Sequence, residues 1–470
     1  MAIRMGQSVV TLIQSVRSDR RGATAVVFAL GATALLGLVG FATEGGTWYL
    51  EKRHGQNAAD AAATYGALAL TNGSATPATD AQTWVRTTFS YSTAEATVTR
   101  GNYNSASKTF TASGTGNAIK AAINRTPSRM FSGLFLAADP TITETAVALV
   151  NANGNACVLA KSGGLGFAGS TSINASNCSL ASNATGSNAI SFQGNKATVT
   201  GGTLISSGGC SNCGNSAGYM LYQPPTTDPY ASIQTLTIPP AAASTTKCQN
   251  MPALSGTVTL NSSYTYDGGS KMFCTTSITT GQGQNRTTTN FSGDLTLNSG
   301  TTLNLIPGTY IFYDASIKVN GGATLQCSTC TPGGAGVTII LTGDTPNKIG
   351  TLSIDGGATV NLNAPATNSF NAAFNGVLFY MDKNATRTNS CGNAPVSLAG
   401  NGNVHLTGGM YFPSVNVCYS GNVSSPNSAT ACTEIIGDSV TFTGNSTLNI
   451  AGCSANGTAV AKTASVQLVQ

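Results

Sequence analysis

GDLTLNSGTTLNLIPGTYIFYDASIKVNGGATLQ, residues 293–326, alternates short runs of Thr, Leu, Ile and Val with corners built from Gly, Asn and Ser. β-Branched residues suit a pleated face, and Gly supplies the positive φ that a tight corner needs. The theme recurs in ATVTGGTLISSGG (197–209), GTVTLNSS (256–263), TLSIDGGATVNLNAP (351–365), GNVHLTGGMYF (402–412) and GDSVTFTGNSTLNIAG (437–452). Gly300, Gly322 and Gly357 each precede a Thr-Thr-Leu, Ala-Thr-Leu or Ala-Thr-Val triplet, at separations of 22 and 35 residues. That is a loose repeat with insertions. Stacked coils of this kind share one continuous core, each touching its neighbours. The expectation for 151–470 is therefore a mainly β, Gly/Thr/Asn-rich domain folded as a β-solenoid, of the right-handed parallel β-helix type. At roughly 22 residues per coil and about 4.8 Å per stacked strand it would form a rod of about 65 Å. The competing architecture is one or two antiparallel β-sandwiches, which also use short strands and Gly-rich turns.

Composition narrows the class of function. Charged residues are 8% of the 470 and the net charge is only +5, against about 25% charged in an ordinary soluble domain. A small, dispersed charge argues against nucleic acid as a partner. Hydrophobic residues at 41% exclude the disordered class, which combines low hydrophobicity with high net charge. A Thr/Ser/Asn/Gly-rich extracytoplasmic scaffold fits better than a cytosolic enzyme.

All 12 Cys fall between Cys157 and Cys453. An even number confined to one part of the chain reads as a disulfide set in an oxidising compartment. Pairing of sequence neighbours gives Cys157–Cys178, Cys210–Cys213, Cys248–Cys274, Cys327–Cys330, Cys391–Cys418 and Cys432–Cys453. Two of these have CxxC spacing, and four thiolates could alternatively hold zinc. Their Gly/Ser/Pro setting lacks the βαβ context of a redox motif.

Towards the N-terminus, residues 22–43 (GATAVVFALGATALLGLVGFAT) carry no charge. A helix of that length spans roughly 33 Å, enough for a bilayer core. Arg17, Arg20 and Arg21 precede it, Glu44 follows, and Trp48 and Tyr49 come next at interfacial height. Basic residues on the N-terminal flank mark the cytoplasmic side. This gives a cytoplasmic segment 1–21, a single membrane span at 22–43, and the remainder outside the cytoplasmic membrane, periplasmic or at the cell surface. A cleaved signal peptide competes, with Gly40-Phe41-Ala42 as a small-x-small site, but its apolar core would be shorter. Ala25, Ala29, Thr33 and Gly37 form a small-xxx-small row that allows close helix packing; a lipid-facing anchor rich in Ala and Gly explains the row equally. Beyond the span, Ala58, Ala61, Ala62, Tyr65, Leu68 and Ala69 keep helical spacing. One helix could run from about Gly22 to Leu70, with Gly45, Gly46 and Gly55 as weak points. Residues 71–150 read as a small α+β unit leaning on it.

The N-terminal pattern resembles TadG-like and TadE-like proteins of the Flp (tight-adherence) pilus system over residues 20–70, and loosely over 71–150. The matching features are Arg20-Arg21-Gly22, the apolar run, Glu44, Trp48-Tyr49, Lys52-Arg53 and the run Gln56-Asn57-Ala58-Ala59-Asp60. The resemblance implies a role in pilus assembly, with the lipid bilayer and other Tad/Flp proteins as partners. Two departures stand out. Val27 occupies the place where pilin-like members carry Glu, so prepilin-peptidase cleavage after Gly22 is not expected. The D-x-S-x-S motif of members with a von Willebrand A domain is absent.

Candidate chemistry is sparse. His54 reads as a solvated helix residue and His405 as a structural strand residue. Gly214-Asn215-Ser216-Ala217-Gly218 matches the nucleophile-elbow pattern, but no strand–turn–helix context surrounds it. Glu434 is the only Glu after residue 150, and Asp228, Asp267, Asp294, Asp314, Asp344, Asp355, Asp382 and Asp438 are scattered. Asp314 with Lys318, and Asp382 with Lys383 and Arg387, are the local acid–base candidates for an exported β-helix carbohydrate-active enzyme. Solvated corners explain them more simply. A carbohydrate-binding adhesin would instead present Tyr219, Tyr222 and Tyr230 to solvent, with surface polysaccharide as partner. The leading expectation is a membrane-anchored structural protein without catalytic residues, cofactor or metal.

Overall fold

The computed structural model describes residues 20–134, 136–176, 178–194, 197–215, 218–238, 243–269, 271–385, 391–401, 403–424, 433–451 and 457–469. They divide into two compact units, one up to Val150 together with the residues from Val466 onward, and one over Asn151–Ser465.

The first unit is organised by helix α1, Arg20–Thr71, which runs through Gly45, Gly46 and Gly55 without a break. Its 52 residues make it about 78 Å long. The early part exposes Val26, Phe28, Leu30, Leu35, Leu38 and Phe41. A helix apolar all round and exposed all round is a candidate membrane span, not the core of a soluble domain. The later part reverses this pattern. Ala58, Ala59, Ala62, Ala63 and Ala67 are fully buried, against α2 (Pro77–Phe89) and an antiparallel sheet. The sheet comprises β1 (Ala96–Asn104), β2 (Thr109–Ala112), β3 (Ala118–Arg125) and residues 142–150 of β4 (Ile142–Ala168), in the order β2-β1-β3-β4. Alternation explains which face packs: Ala96, Val98, Ile119, Ala121, Ile123, Ala146 and Ala148 are buried towards the helices. Small side chains bring α1 close to them. A Cβ on Gly66 would stand 2.8 Å from Ile119 Cγ2 and 3.1 Å from Ala81 Cβ. Pro77 opens α2 at its first turn, and Ser90 closes it in the left-handed conformation.

The second unit is mainly β and its long ladders are parallel. One runs Leu295↔Ile317↔Leu352↔Val396↔Val417↔Val440↔Leu165↔Ile190↔Cys210. A second runs Val258↔Leu303↔Leu325↔Val360↔Val404. A third carries Met272–Cys274, Gly308–Tyr313, Val337–Thr342 and Val377–Met381, then Met410↔Ile435↔Val158↔Leu180↔Leu204. These are not the antiparallel pairs of a sandwich. The hairpin Thr276–Thr280 with Thr287–Phe291 is antiparallel.

The Gly-plus-triplet signal falls into register. Leu303, Leu325 and Val360 are ladder partners, and Gly300, Gly322 and Gly357 turn the preceding corners at φ 80°, 78° and 87°. The connections 327–336 and 343–351 replace the shorter 305–307 and 314–316 of the preceding repeat and account for the longer second interval. In-register stacking also lines up rings: Phe192, Phe167 and Phe442 stack in succession, with centroids 4.6 and 5.5 Å apart.

Two features of this unit were not legible beforehand. Strand residues near 440 pair with those near 165, so the end of the unit's chain stacks on its beginning. The third ladder is buried on both faces, because residues 226–238 lie across it as a strap. Tyr230, Ile233 and Ile238 of the strap share a buried cluster with Leu159, Ile311, Ile340, Tyr380, Tyr411 and Ile436. Hence strands such as VLFYM (377–381) are apolar throughout rather than alternating.

Five of the neighbour disulfides are present: Cys157–Cys178, Cys210–Cys213, Cys248–Cys274, Cys327–Cys330 and Cys391–Cys418, with Cα separations of 5.3–5.9 Å. The CxxC pairs are thus disulfide-bonded and are not zinc ligands. Cys432 and Cys453 lie outside the described residues.

Candidate functional site

The uncharged run of α1 ends at Glu44, and this carboxylate does more than mark a boundary. It is buried and captures the loop between β3 and β4. Oε1 accepts from the Met130 N–H at 2.9 Å and the Ser132 hydroxyl at 2.7 Å. Oε2 accepts from the Phe131 and Ser132 N–H groups at 3.1 and 2.7 Å. Three successive backbone donors need an acceptor of this kind, and hydrogen bonds to a charged group are about twice as strong as neutral ones. One turn earlier on α1, Gly40 leaves room for the Phe131 ring; a Cβ there would lie 2.7 Å from it.

A second tie lies two turns further along the helix. Arg125, at the end of β3, bonds Glu51 of α1 at 3.3 Å and Glu95 at 2.9 Å, over the Tyr91 ring at 5.4 Å. The Ser92 backbone N–H, and then Arg125, hold the Glu95 carboxyl below its ordinary range. Partial burial pulls the Arg125 guanidinium down, but Glu51 and then Glu95 outweigh it and leave its pKa raised. All three side chains are about one-third exposed, so each pair contributes at most about 1 kcal/mol. Between the two ties is a cleft of about 450 Å³, lined by Glu44, Trp48, Glu51, Arg125 and Met130 among others. Arg125, Glu51 and Glu95 are engaged with one another, and Glu44 with the loop backbone. The arrangement fixes a loop and the end of β3 to the helix just beyond the uncharged run.

The second unit holds a polar cluster beneath its strap. Asp228 accepts from the Tyr230 N–H at 3.0 Å and the Tyr411 hydroxyl at 2.8 Å, and pairs with Lys161 at 2.9 Å. Gln234 donates to the Tyr411 hydroxyl at 2.5 Å. Burial first, then the charge of Asp228, raises the Tyr411 pKa far above the usual phenol range. Nearby Glu434 is fully buried. Its Oε1 accepts from the Ala461 N–H at 3.0 Å, and its Oε2 has no hydrogen-bond partner among the described residues. Burial pushes its pKa well up. Asp228 and Glu434 are therefore not solvated corners, as their scattered positions implied. Nothing in the sequence near 228 or 434 announces this, because the partners come from strands far away along the chain.

The remaining candidates stay apart. Asp314 accepts from the Asp344 N–H, while Lys318 pairs with Asp355 at 3.9 Å rather than with Asp314. Asp382 accepts from the Thr342 hydroxyl at 2.7 Å, and Lys383 donates to the Gln234 carbonyl. Ser216 and Arg387 lie outside the described residues. His54 is exposed on α1, and His405 stands in register with Asn361. Tyr219 and Tyr222 are exposed, but Tyr230 is buried in the strap, which removes one of the three ring positions expected of an adhesin face. No group of three potential metal ligands occurs among the described residues.

No curated protein and no solved structure matches the chain. The stretch that supplies the exposed apolar helix, Glu44, Glu51 and the alanine face, residues 22–69, matches one family model, described as putative Flp pilus-assembly TadE/G-like.

Proposed function

We propose that this chain is a membrane-anchored structural component of Flp/Tad pilus assembly that displays a disulfide-braced β-solenoid outside the cytoplasmic membrane. The family match over 22–69 carries the reading. The exposed apolar part of α1 supports the anchor, and the Arg residues before it support an N-terminus inside. The solenoid reading is supported by parallel partners one repeat apart, such as Leu303, Leu325 and Val360, and by neighbour disulfides. The role is structural rather than catalytic: Asp228, Lys161 and Lys383 fasten the strap of the second unit, and the alanine face and Glu44 position the first unit on its helix. Partners are the bilayer and other pilus-assembly proteins.

Deleting the chain in its native host and imaging surface pili tests the reading. Pili should be lost, restored by the full chain, and not restored by a chain lacking 22–43. Normal piliation after deletion overturns it. Protease added to spheroplasts should digest the Cys-rich part and spare an N-terminal tag; a tag cut from outside reverses the orientation.

A further inference from the structure

The loop held by Glu44 is unusual in what it leaves uncovered. Met130 is 77% exposed, Phe131 46% and Leu136 43%. In a water-facing loop these side chains would be an unfavourable choice, and this loop is built not to withdraw them. Glu44 fixes the backbone at Met130, Phe131 and Ser132. Arg129 bonds both Asp139 and the Leu136 carbonyl, and the Leu136 N–H returns to the Ser132 carbonyl at 2.8 Å. The loop is thus closed on itself with Met130, Phe131 and Leu136 outward.

Its position identifies what covers them. The Phe131 ring packs on Gly40, which lies three residues inside the uncharged run that ends at Thr43. Three residues of helix correspond to about 4.5 Å. The exposed loop residues are therefore continuous with the exposed apolar surface of α1 at Val39 and Phe41, at a depth where side chains of interfacial segments sit, about 5–10 Å into the headgroup boundary.

We infer that residues 129–134 together with Leu136 form a membrane-dipping loop, seated in the same bilayer face from which α1 emerges, with Glu44 as the latch that sets its depth. The occupant is lipid: headgroups around Ser128 and Arg129, acyl chains around Met130, Phe131 and Leu136. The helix and loop together give the first unit two points of contact with the bilayer, which limits rotation of that unit about the helix axis. This rests on the reading of 22–43 as a membrane span.

The test uses the full chain, reconstituted in vesicles of phosphatidylethanolamine and phosphatidylglycerol, with a photoreactive benzoylphenylalanine at one position at a time. Met130 and Leu136 probe the loop and Phe28 probes the span. Ser107 is the water-facing control: it lies at the far end of β1, about 30 Å from the Arg125 tie. The tryptophan fluorescence melt of each variant, read from Trp48 and Trp84 of the same unit, checks folding. Lipid adducts by mass spectrometry should form at Phe28, Met130 and Leu136, at least about tenfold above Ser107, because only groups seated in the boundary meet acyl chains. Adducts at Phe28 with Met130 and Leu136 at the level of Ser107 overturn the loop proposal and leave the span intact. No adducts at Phe28 overturn the span and the loop together. Glu44→Gln should lower the Met130 and Leu136 adducts without changing Phe28; unchanged loop adducts overturn the latch.

Discussion

Where α1 meets α2 and the sheet, the contact is made by Ala58, Ala59, Ala62, Ala63 and Ala67 against Ala81 of the helix and Ala121 and Ala146 of the strands. Inside 151–465 it is made by Phe167, Phe192, Phe273, Phe312, Phe379 and Phe442, with Leu and Ile between them. Both regions bury apolar surface, but by different routes. The first gains from close approach of backbones and holds the loop with hydrogen bonds and ion pairs. The second gains from large side chains stacked in register and tied by disulfides, all the Cys of the chain lying there. The alanine core has little to lose by truncation and much to lose by enlargement. The aromatic core is the reverse.

Reduction of the disulfides should separate the two regions most strongly. Loops of 21–27 residues each contribute about 3–4 kcal/mol in the chain-entropy model, and the two CxxC loops less. Hydrogen exchange after reduction should accelerate across 151–465. Both Trp of the chain, Trp48 and Trp84, lie in the first unit, so the tryptophan fluorescence melt should not move. A large shift in that melt would break the comparison.

Next in size is Phe379→Ala. Phe379 is fully buried between ladder partners Ile339 and Met410, and such truncations cost about 3–5 kcal/mol. Loss of protection should spread through the neighbouring strands of the third ladder, again without change in the tryptophan signal.

Glu434→Gln addresses the polar part of the second core. Burial raises the Glu434 pKa from 4.5. Above pH 4.5 the unfolded chain gives up this proton while the folded chain keeps it, so stability falls as pH rises from there towards the folded value. Below pH 4.5 the group is neutral in both states and the loss is absent. The amide can still accept from Ala461 N–H and cannot ionise. Hydrogen exchange at 433–437 should therefore lose pH-dependent destabilisation in the variant between pH 4.5 and neutrality; an unchanged slope would mean that the carboxyl is not the source.

Much of this was readable because it is local. The uncharged run fixes the exposed helix, the Gly-plus-triplet spacing anticipates ladder partners, and Cys close in sequence pair, three of the described disulfides joining residues 21–27 apart. What was not readable is non-local. Tyr230, Ile233 and Ile238 have no periodicity that marks a strap, and nothing near Val440 says that Leu165 lies beside it. Glu44 shows the limit most clearly: sequence identifies a charge at the end of an apolar run, but its donors are 86–88 residues away. Single carboxylates of this kind are indistinguishable from surface residues until the chain closes around them.

The smallest effect is also the sharpest test of the alanine core, because it turns on sign. Gly46 and Gly66 both lie within α1, and Ala is favoured over Gly in a helix interior by about 1 kcal/mol. At Gly46 a Cβ would meet nothing within 4 Å, so Gly46→Ala should stabilise by nearly that amount. At Gly66 the same methyl would stand 2.8 Å from Ile119 Cγ2, 3.1 Å from Ala81 Cβ and 3.3 Å from the Pro77 carbonyl oxygen. The Ile119 methyl can turn aside, whereas Ala81 and Pro77 move only with the backbone of α2. Overpacking of this kind costs about 1–3 kcal/mol, which outweighs the helical gain. Gly66→Ala should therefore destabilise the first unit by about 1 kcal/mol and Gly66→Leu by more. The Trp84 fluorescence melt is well placed to read this, because Trp84 stacks on Tyr65 at 4.9 Å, the residue before Gly66. Equal stabilisation by both Gly→Ala changes would show that α1 and α2 do not pack at the closeness that the alanine face implies.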